Sequence, residues 1–149
     1  MVDILNKNLP YDVTCVFTVQ EEIGTRGAKV AAYTVKPDYA IVLETTTACD
    51  FAGNDGEKRV CELGKGCVVS YMDRSTIYDR ELYRLGFEKA KEINVPCQTK
   101  TLVAGGNDSG AIHSSPWTGS VAFSGRIKKS DVQSTAELAY AMYLALAEK

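Results

Sequence analysis

The run QEEIGTRGA, residues 20–28, sets Glu21 and Glu22 side by side, with Gly24 two positions further on. Adjacent carboxylates repel one another and call for a proton, a cation or a basic partner between them. A third carboxylate, Glu44, closes the apolar run of DYAIVLETTT (38–47), and Asp50 lies in the loop that follows. If the segments before Glu21 and Glu44 are neighbouring strands, Glu22 and Glu44 project from the same edge of a sheet. Oxygen-rich clusters of this kind hold divalent metals, and one further carboxylate can take a proton from a metal-bound water. That chemistry gives Glu21 and Glu22 different jobs. The bland reading is a solvated strand end with Arg26 as an ion-pair partner, worth little energetically.

The elements that must position these carboxylates follow from hydrophobic period and propensity. YDVTCVFTV (11–19) reads as a buried strand ending at the glutamates, from its β-branched and aromatic content. TRGAKVAAYTV (25–35) reads as a short helix and 38–47 as a second strand. A loop rich in Gly, Asp and Lys (50–66) precedes CVVSYMD (67–73), another strand. YDRELYRLGFEKAKEI (78–93) has apolar or aromatic residues at 82, 83, 87, 90 and 93, an amphipathic helix with Asp79 as its N-cap. CQTKTLV (97–103) is a strand, GGNDSGAIH (105–113) a glycine-rich turn into a short helix or loop, and GSVAFSG (119–125) a short strand. SDVQSTAELAYAMYLALAEK (130–149) is a helix rich in Ala and Leu, started by Ser130 or Asp131. Residues 2–8 read as the tail of a helix. Strands alternating with helices imply an α/β fold of three layers, α/β/α, with a mixed, largely parallel sheet. In such folds ligands sit beyond the carboxyl ends of the strands, where Glu21 and Glu22 fall.

Length and composition bound the rest. At 149 residues one domain, 1–149, is expected, and 45% hydrophobic with 24% charged residues and a net charge of -2 describes a soluble globular protein. Nothing in that balance invites nucleic acid or an anionic membrane. The N-terminus MVDILNKNLP lacks the regions of a signal peptide, and no apolar run reaches spanning length, so a cytoplasmic location is expected. Cys15, Cys49, Cys61, Cys67 and Cys97 are odd in number, widely spaced and free of C-x-x-C pairs, and read as reduced, mostly buried thiols. GGNDSG lacks the Gly-Lys-Ser/Thr ending of a phosphate-binding P-loop.

Together, QEEIGTRGA (20–28), PDYAIVLETTTACD (37–50), LGKGCVVSYMDRSTI (63–77), CQTKTLVAGGNDSGAIH (97–113) and KKSDV (128–132) resemble the cobalt- or zinc-dependent aminopeptidases of peptidase family M42. These are tetrahedral, glutamyl or deblocking aminopeptidases, some of which carry endoglucanase or cellulase names. The resemblance covers most of the chain in the right order, as the C-terminal part of a metallo-aminopeptidase catalytic domain. It implies removal of N-terminal residues from peptides by metal-activated water, with Glu21 as general base, Glu22 as a ligand of one metal and Glu44 as a ligand of the other. Gly24 and Gly27 would permit the tight turn after the pair. Asp50, Asp73, Arg74 and Asp108 belong to motifs that lie near the site in such enzymes and are expected to support it rather than react. The resemblance also implies a peptide substrate and a homo-oligomer.

The chain departs from the pattern in its metal ligands. The family's dinuclear site takes an early histidine, a bridging aspartate, the second glutamate of the pair, the acidic residue of the next strand and a late histidine. Only 19 residues precede Gln20, and no histidine follows His113, the chain's one histidine, where the segment near 114–127 is shortened. His113 matches a position the family does not use as a ligand and reads as structural. Glu22 and Glu44 alone should bind a divalent ion weakly or not at all. Two functions are therefore expected from different classes: the catalytic portion of a metallo-aminopeptidase that is inactive in isolation, or a non-catalytic remnant acting by self-association or by binding a full-length relative.

Overall fold

The computed structural model describes residues 9, 12–54, 56–115 and 129–147, and of 119–124 the backbone. Its elements in chain order are α1 (Arg26–Val35), β1 (Tyr39–Glu44), β2 (Cys67–Val69), α2 (Arg80–Glu92), β3 (Cys97–Thr99), α3 (Asp108–His113), β4 (Gly119–Ser124) and α4 (Lys129–Ala147). The expected helix tail at 2–8 lies outside the described residues.

The four strands form one sheet in the order β1-β4-β2-β3. β1 runs parallel to β4, from Tyr39 opposite Gly119 to Glu44 opposite Ser124, and β2 runs parallel to β3, with Cys67 opposite Cys97. β2 and β4 are antiparallel through Val68–Ser124 and Val69–Phe123. The sheet is mixed and largely parallel, and the helices flanking it give the α/β/α layering.

The tightest packing lies around β2. Successive strand residues face opposite sides, so Cys67 and Val69 point to Leu82 and Ala90 of α2 and to Leu138 and Met142 of α4, while Val68 turns the other way onto Ala48 and Cys61. α2 starts where the sequence places it: the Asp79 carboxylate accepts from the Glu81 and Leu82 amides at 2.8 and 2.9 Å, satisfying two donors a helix start leaves free. α4 is joined to the sheet by Asp131, 1% exposed, whose carboxylate accepts from the amides of Gly64 and Gly66 ahead of β2 at 2.8 and 3.2 Å. The five cysteines form no disulfide.

Three expected strands differ in extent. The run 67–73 pairs only as far as Val69; beyond it a bridge joins Met72 to Ile77, and Asp73 draws the chain into a turn. The run 97–103 stops at Thr99, after which the Thr101 amide donates to the Val60 carbonyl in the preceding loop. The largest difference is at 11–19. Residues 12–19 form neither strand nor helix, and Phe17 and Val19 are 77% and 65% exposed. Their β-branched and aromatic side chains supply strand propensity, but propensity forms a strand only beside a partner with matching packing, and no strand of the described residues pairs with this segment.

Candidate active site

Glu21 and Glu22 therefore lie not at the end of a buried strand but on a turn that joins this segment to α1. The turn is closed by the Gly24 and Thr25 amides donating to the Glu21 carbonyl at 3.0 and 2.9 Å, and by the Gly27 amide donating to the Val19 carbonyl at 3.0 Å. Gly24 has φ +112°, a conformation that side-chain-bearing residues rarely adopt. Gly27 has a different role from the one expected. A Cβ there would lie 2.6 Å from both N and O of Val19, so its glycine lets α1 approach the 12–19 segment rather than shaping the turn. Gln20 and Thr25, on either side of the pair, also have positive φ, at 59° and 50°. Non-glycine residues held so mark a backbone fixed by its surroundings.

The turn faces the carboxyl end of β1. There Glu21, Glu22, Glu44 and Asp108 line one cleft, together with Thr18, Lys100, the Thr45–Thr47 strand exit and the Gly105–Gly106 backbone. The expected convergence of Glu22 and Glu44 is thus present, although sheet neighbours do not produce it. No ion pair joins Arg26 to either glutamate among the described residues.

The crowding of like charge shows in the acid strengths. The Glu44 carboxyl is pushed up to about 7, first by burial and then by the charges of Glu21 and Asp108, against the opposing effects of an Asn107 hydrogen bond and the Lys100 charge. Glu21 is also raised, by burial first and then by Glu22 and Asp108. A carboxyl held near neutrality, as at Glu44, is suited to exchange protons with a bound water or substrate.

The remaining candidates divide. Asp108 is in the cleft: its Oδ2 accepts from the Thr18 hydroxyl at 2.5 Å. Asp73 lies outside it, buried, and its carboxylate accepts from the Ser75 and Thr76 amides, the Ser75 hydroxyl and the Tyr78 hydroxyl. Tyr78 in turn accepts from the Asn107 amide group at 2.9 Å, and Asn107 caps α3 by accepting from the Ser109 amide. Asp73 thereby anchors the loop that presents Asp108. Arg74 is exposed and contributes its backbone amide to the Gly105 carbonyl at 2.8 Å. Asp50 accepts from the Leu63 amide at 2.6 Å and orders the 50–63 loop. His113 sits exposed in the last turn of α3 and does not line the cleft.

A sequence profile of the M42 glutamyl aminopeptidase family matches residues 1–128 of the chain. The chain belongs to that family. It is 42% identical over 107 residues to a protein of Acetivibrio thermocellus named as an aminopeptidase, covering 72% of this chain and 32% of the relative. It is 39% identical over 89 residues to the lysyl aminopeptidase of Pyrococcus furiosus, covering 60% and 24%. Among solved structures, the TET aminopeptidase of a marine sediment Thaumarchaeota archaeon superposes with a TM-score of 0.80 at 30% identity, over 88% of this chain and 41% of that one. The Pyrococcus horikoshii TET1 peptidase, described as assembling into a tetrahedron or a large octahedral shell, gives 0.61 at 28% identity, over 88% and 39%. The chain thus spans about a third of the length of the curated M42 relatives it matches.

A family built around metal-dependent hydrolysis invites a test of the donors present. Among the described residues no group of three or more His, Cys, Asp or Glu side chains is placed to hold a metal ion. The cleft offers carboxylate oxygens and no imidazole, whereas zinc sites of hydrolases draw on at least three protein ligands, most often including histidine. The described donor set does not fit a zinc or cobalt centre.

Proposed function

We propose that this chain carries the acidic half of an M42 aminopeptidase active site, which removes N-terminal residues from peptides by metal-activated water in a complete enzyme, and that in isolation it does not turn over. The observation that supports this reading is the convergence of Glu21, Glu22, Glu44 and Asp108 on one cleft at the end of β1 in a chain of this family. Within it Glu21, on its rigid turn and with a raised pKa, is the base that takes a proton from the attacking water. Glu22 and Glu44 are the metal-facing carboxylates. Zinc or cobalt is the expected ion, and the described residues are too few in donors to hold either tightly. Residues 1–149 are read as one α/β domain, the C-terminal part of the catalytic domain, with a cytoplasmic location; no helix among the described residues is long and apolar enough to cross a membrane.

The test is a chimera in which the 107 matching residues of this chain replace their counterparts in the Acetivibrio thermocellus relative, the rest of that relative being kept. The chimera should hydrolyse aminoacyl-anilides, and Glu21→Gln within it should lower kcat by about a hundredfold or more, the scale of a lost general base. A folded, metal-loaded chimera that leaves these substrates intact would overturn the reading.

A second reading, favoured by the exposed apolar segment, is association of the chain with itself or with a longer relative. Phe17, Val19 and Val30 flank an open groove between residues 16–20 and α1, and exposed apolar patches of this kind seek partners. The expected state is a homo-oligomer, and sedimentation equilibrium giving a monomer at all concentrations would remove it.

A further inference from the structure

Glu44 ends β1 with its backbone fixed opposite Ser124 of β4. A long, rotatable side chain still separates that backbone from the carboxylate, and free rotation would scatter the carboxylate through the cleft. The charges around it do not give it a direction. Glu21 and Asp108 repel it, and Lys100 attracts it while donating its own ammonium proton to the Ala104 carbonyl at 3.0 Å. The hydrogen bond that meets the carboxylate comes from the side chain of Asn107.

Asn107 is itself held from behind. It is 3% exposed, and its Oδ1 accepts from the Ser109 amide at 2.7 Å as the cap of α3. That bond assigns the oxygen and leaves both N–H donors of Nδ2 for other acceptors. One goes to the Tyr78 hydroxyl at 2.9 Å. Tyr78 is buried and has a single hydroxyl proton, which it gives to Asp73, so toward Asn107 it can only accept. Asp73 takes three further donors, the Ser75 and Thr76 amides and the Ser75 hydroxyl. Each bond in this row has one permitted direction, and the second N–H of Asn107 is left for Glu44.

Capping α3 does not by itself call for asparagine. Serine and aspartate cap as well, but serine brings one O–H donor and an ionised aspartate none. An aspartate would also set another negative charge beside Glu44. What explains the amide is the pair of acceptors beyond the cap, a phenol oxygen whose proton is already committed and a carboxylate. Bonds that orient a working carboxylate from outside the reacting atoms change activity by about ten- to a hundredfold when they are lost from metal sites.

We propose that Asn107 is a positioning residue: braced by Tyr78 and Asp73, it holds the Glu44 carboxylate in one orientation at the end of β1. The proposal rests on the peptidase reading for what Glu44 does, and not for how Glu44 is held. It gives the buried Asp73–Tyr78 loop a part in the cleft that it does not itself line. Lys100 differs from Asn107 in acting on Glu44 through charge alone.

The experiment is NMR on the chain in EDTA-containing buffer, with the side-chain rotamers of Glu44 read from its three-bond carbon couplings. The unaltered chain should show a single rotamer. Asn107→Ser, which keeps a cap on α3, should average it, as should Tyr78→Phe, which removes the acceptor that braces the amide. Lys100→Met, which removes only the charge, should leave the rotamer single. Averaged couplings in the unaltered chain would overturn the proposal without any variant. So would a single rotamer retained in Asn107→Ser whose α3 amides stay protected from exchange; should that variant fail to fold, a single rotamer in Tyr78→Phe decides the same point. In the chimera Asn107→Ser should lower kcat about tenfold with KM little changed, and an unchanged kcat would also overturn it. A chimera that never turns over, beside a chain that passes the rotamer test, would instead refute the peptidase reading and leave Asn107 as the residue that orients Glu44.

Discussion

Two regions of this molecule are built on opposite terms. Around β2 the residues Cys67, Val69, Leu82, Ala90, Leu138 and Met142 close a core that water does not reach, and buried carboxylates such as Asp73 and Asp131 have every oxygen committed. At the other end, residues 16–19 are exposed, α1 presents Val30 and Tyr33 to solvent, and the cleft between the Glu21–Glu22 turn and the carboxyl end of β1 gathers like charges. The first region holds its shape through burial. The second is held by a turn, a glycine contact and one side-chain bond from Thr18, and it gathers the carboxylates proposed to act in the site. Crowded like charge of this kind is a mark of functional sites.

The sharpest way to break this contrast is to remove volume from each region. Leu138→Ala leaves a cavity in the closed core and should cost about 3 kcal/mol of stability, within the usual range of 2–5, lowering the denaturant midpoint with an unchanged slope. Asp131→Ala strands the Gly64 and Gly66 amides that it satisfies and should cost about 2 kcal/mol, detectable as a lower Tm and faster hydrogen exchange at residues 64–67. Asp79→Ala removes a helix cap and should cost about 1 kcal/mol by the same denaturant titration.

The acidic cleft responds to pH in a definite direction. The Glu44 pKa is raised from 4.5 in the unfolded chain to about 7 in the fold, so between those values the folded state binds the extra proton. Stability therefore falls as pH rises through that window and levels off above it. Urea titrations in EDTA should give a higher midpoint at pH 5 than at pH 8, and Glu44→Gln should flatten this part of the profile. The smallest effect belongs to the open region: Phe17→Ser should shift stability by less than about 0.5 kcal/mol, since the ring is already exposed, while reducing self-association in light scattering.

How much of this could be read in advance follows the same division. The Asp79 cap, the periodic helix behind it and the β-branched runs of β1 to β3 are local patterns, and the sequence displays them directly. The M42 motifs carry Glu21, Glu22 and Glu44, and the fold brings these three to one cleft. The strand expected at 11–19 was not formed because composition cannot say whether a partner is present. Strand ends at Val69 and Thr99 were set by distant bonds, from the turn at Asp73 and from the carbonyl of Val60. Thr18 and Lys100 entered the cleft through long-range convergence that spacing does not encode, although the Thr18 position three residues before Glu21 was a usable hint. Gly27 looked like a turn residue and is a contact residue.

The central claim is that the cleft keeps the family's carboxylates without a complete donor set for its metal. Zinc or cobalt calorimetry on the chain, beside a Glu22→Ala, Glu44→Ala double variant and followed by an aminoacyl-anilide assay, addresses it most directly. Weak or absent binding without turnover is the result the account predicts. Tight binding that the double variant loses, accompanied by hydrolysis, would contradict it.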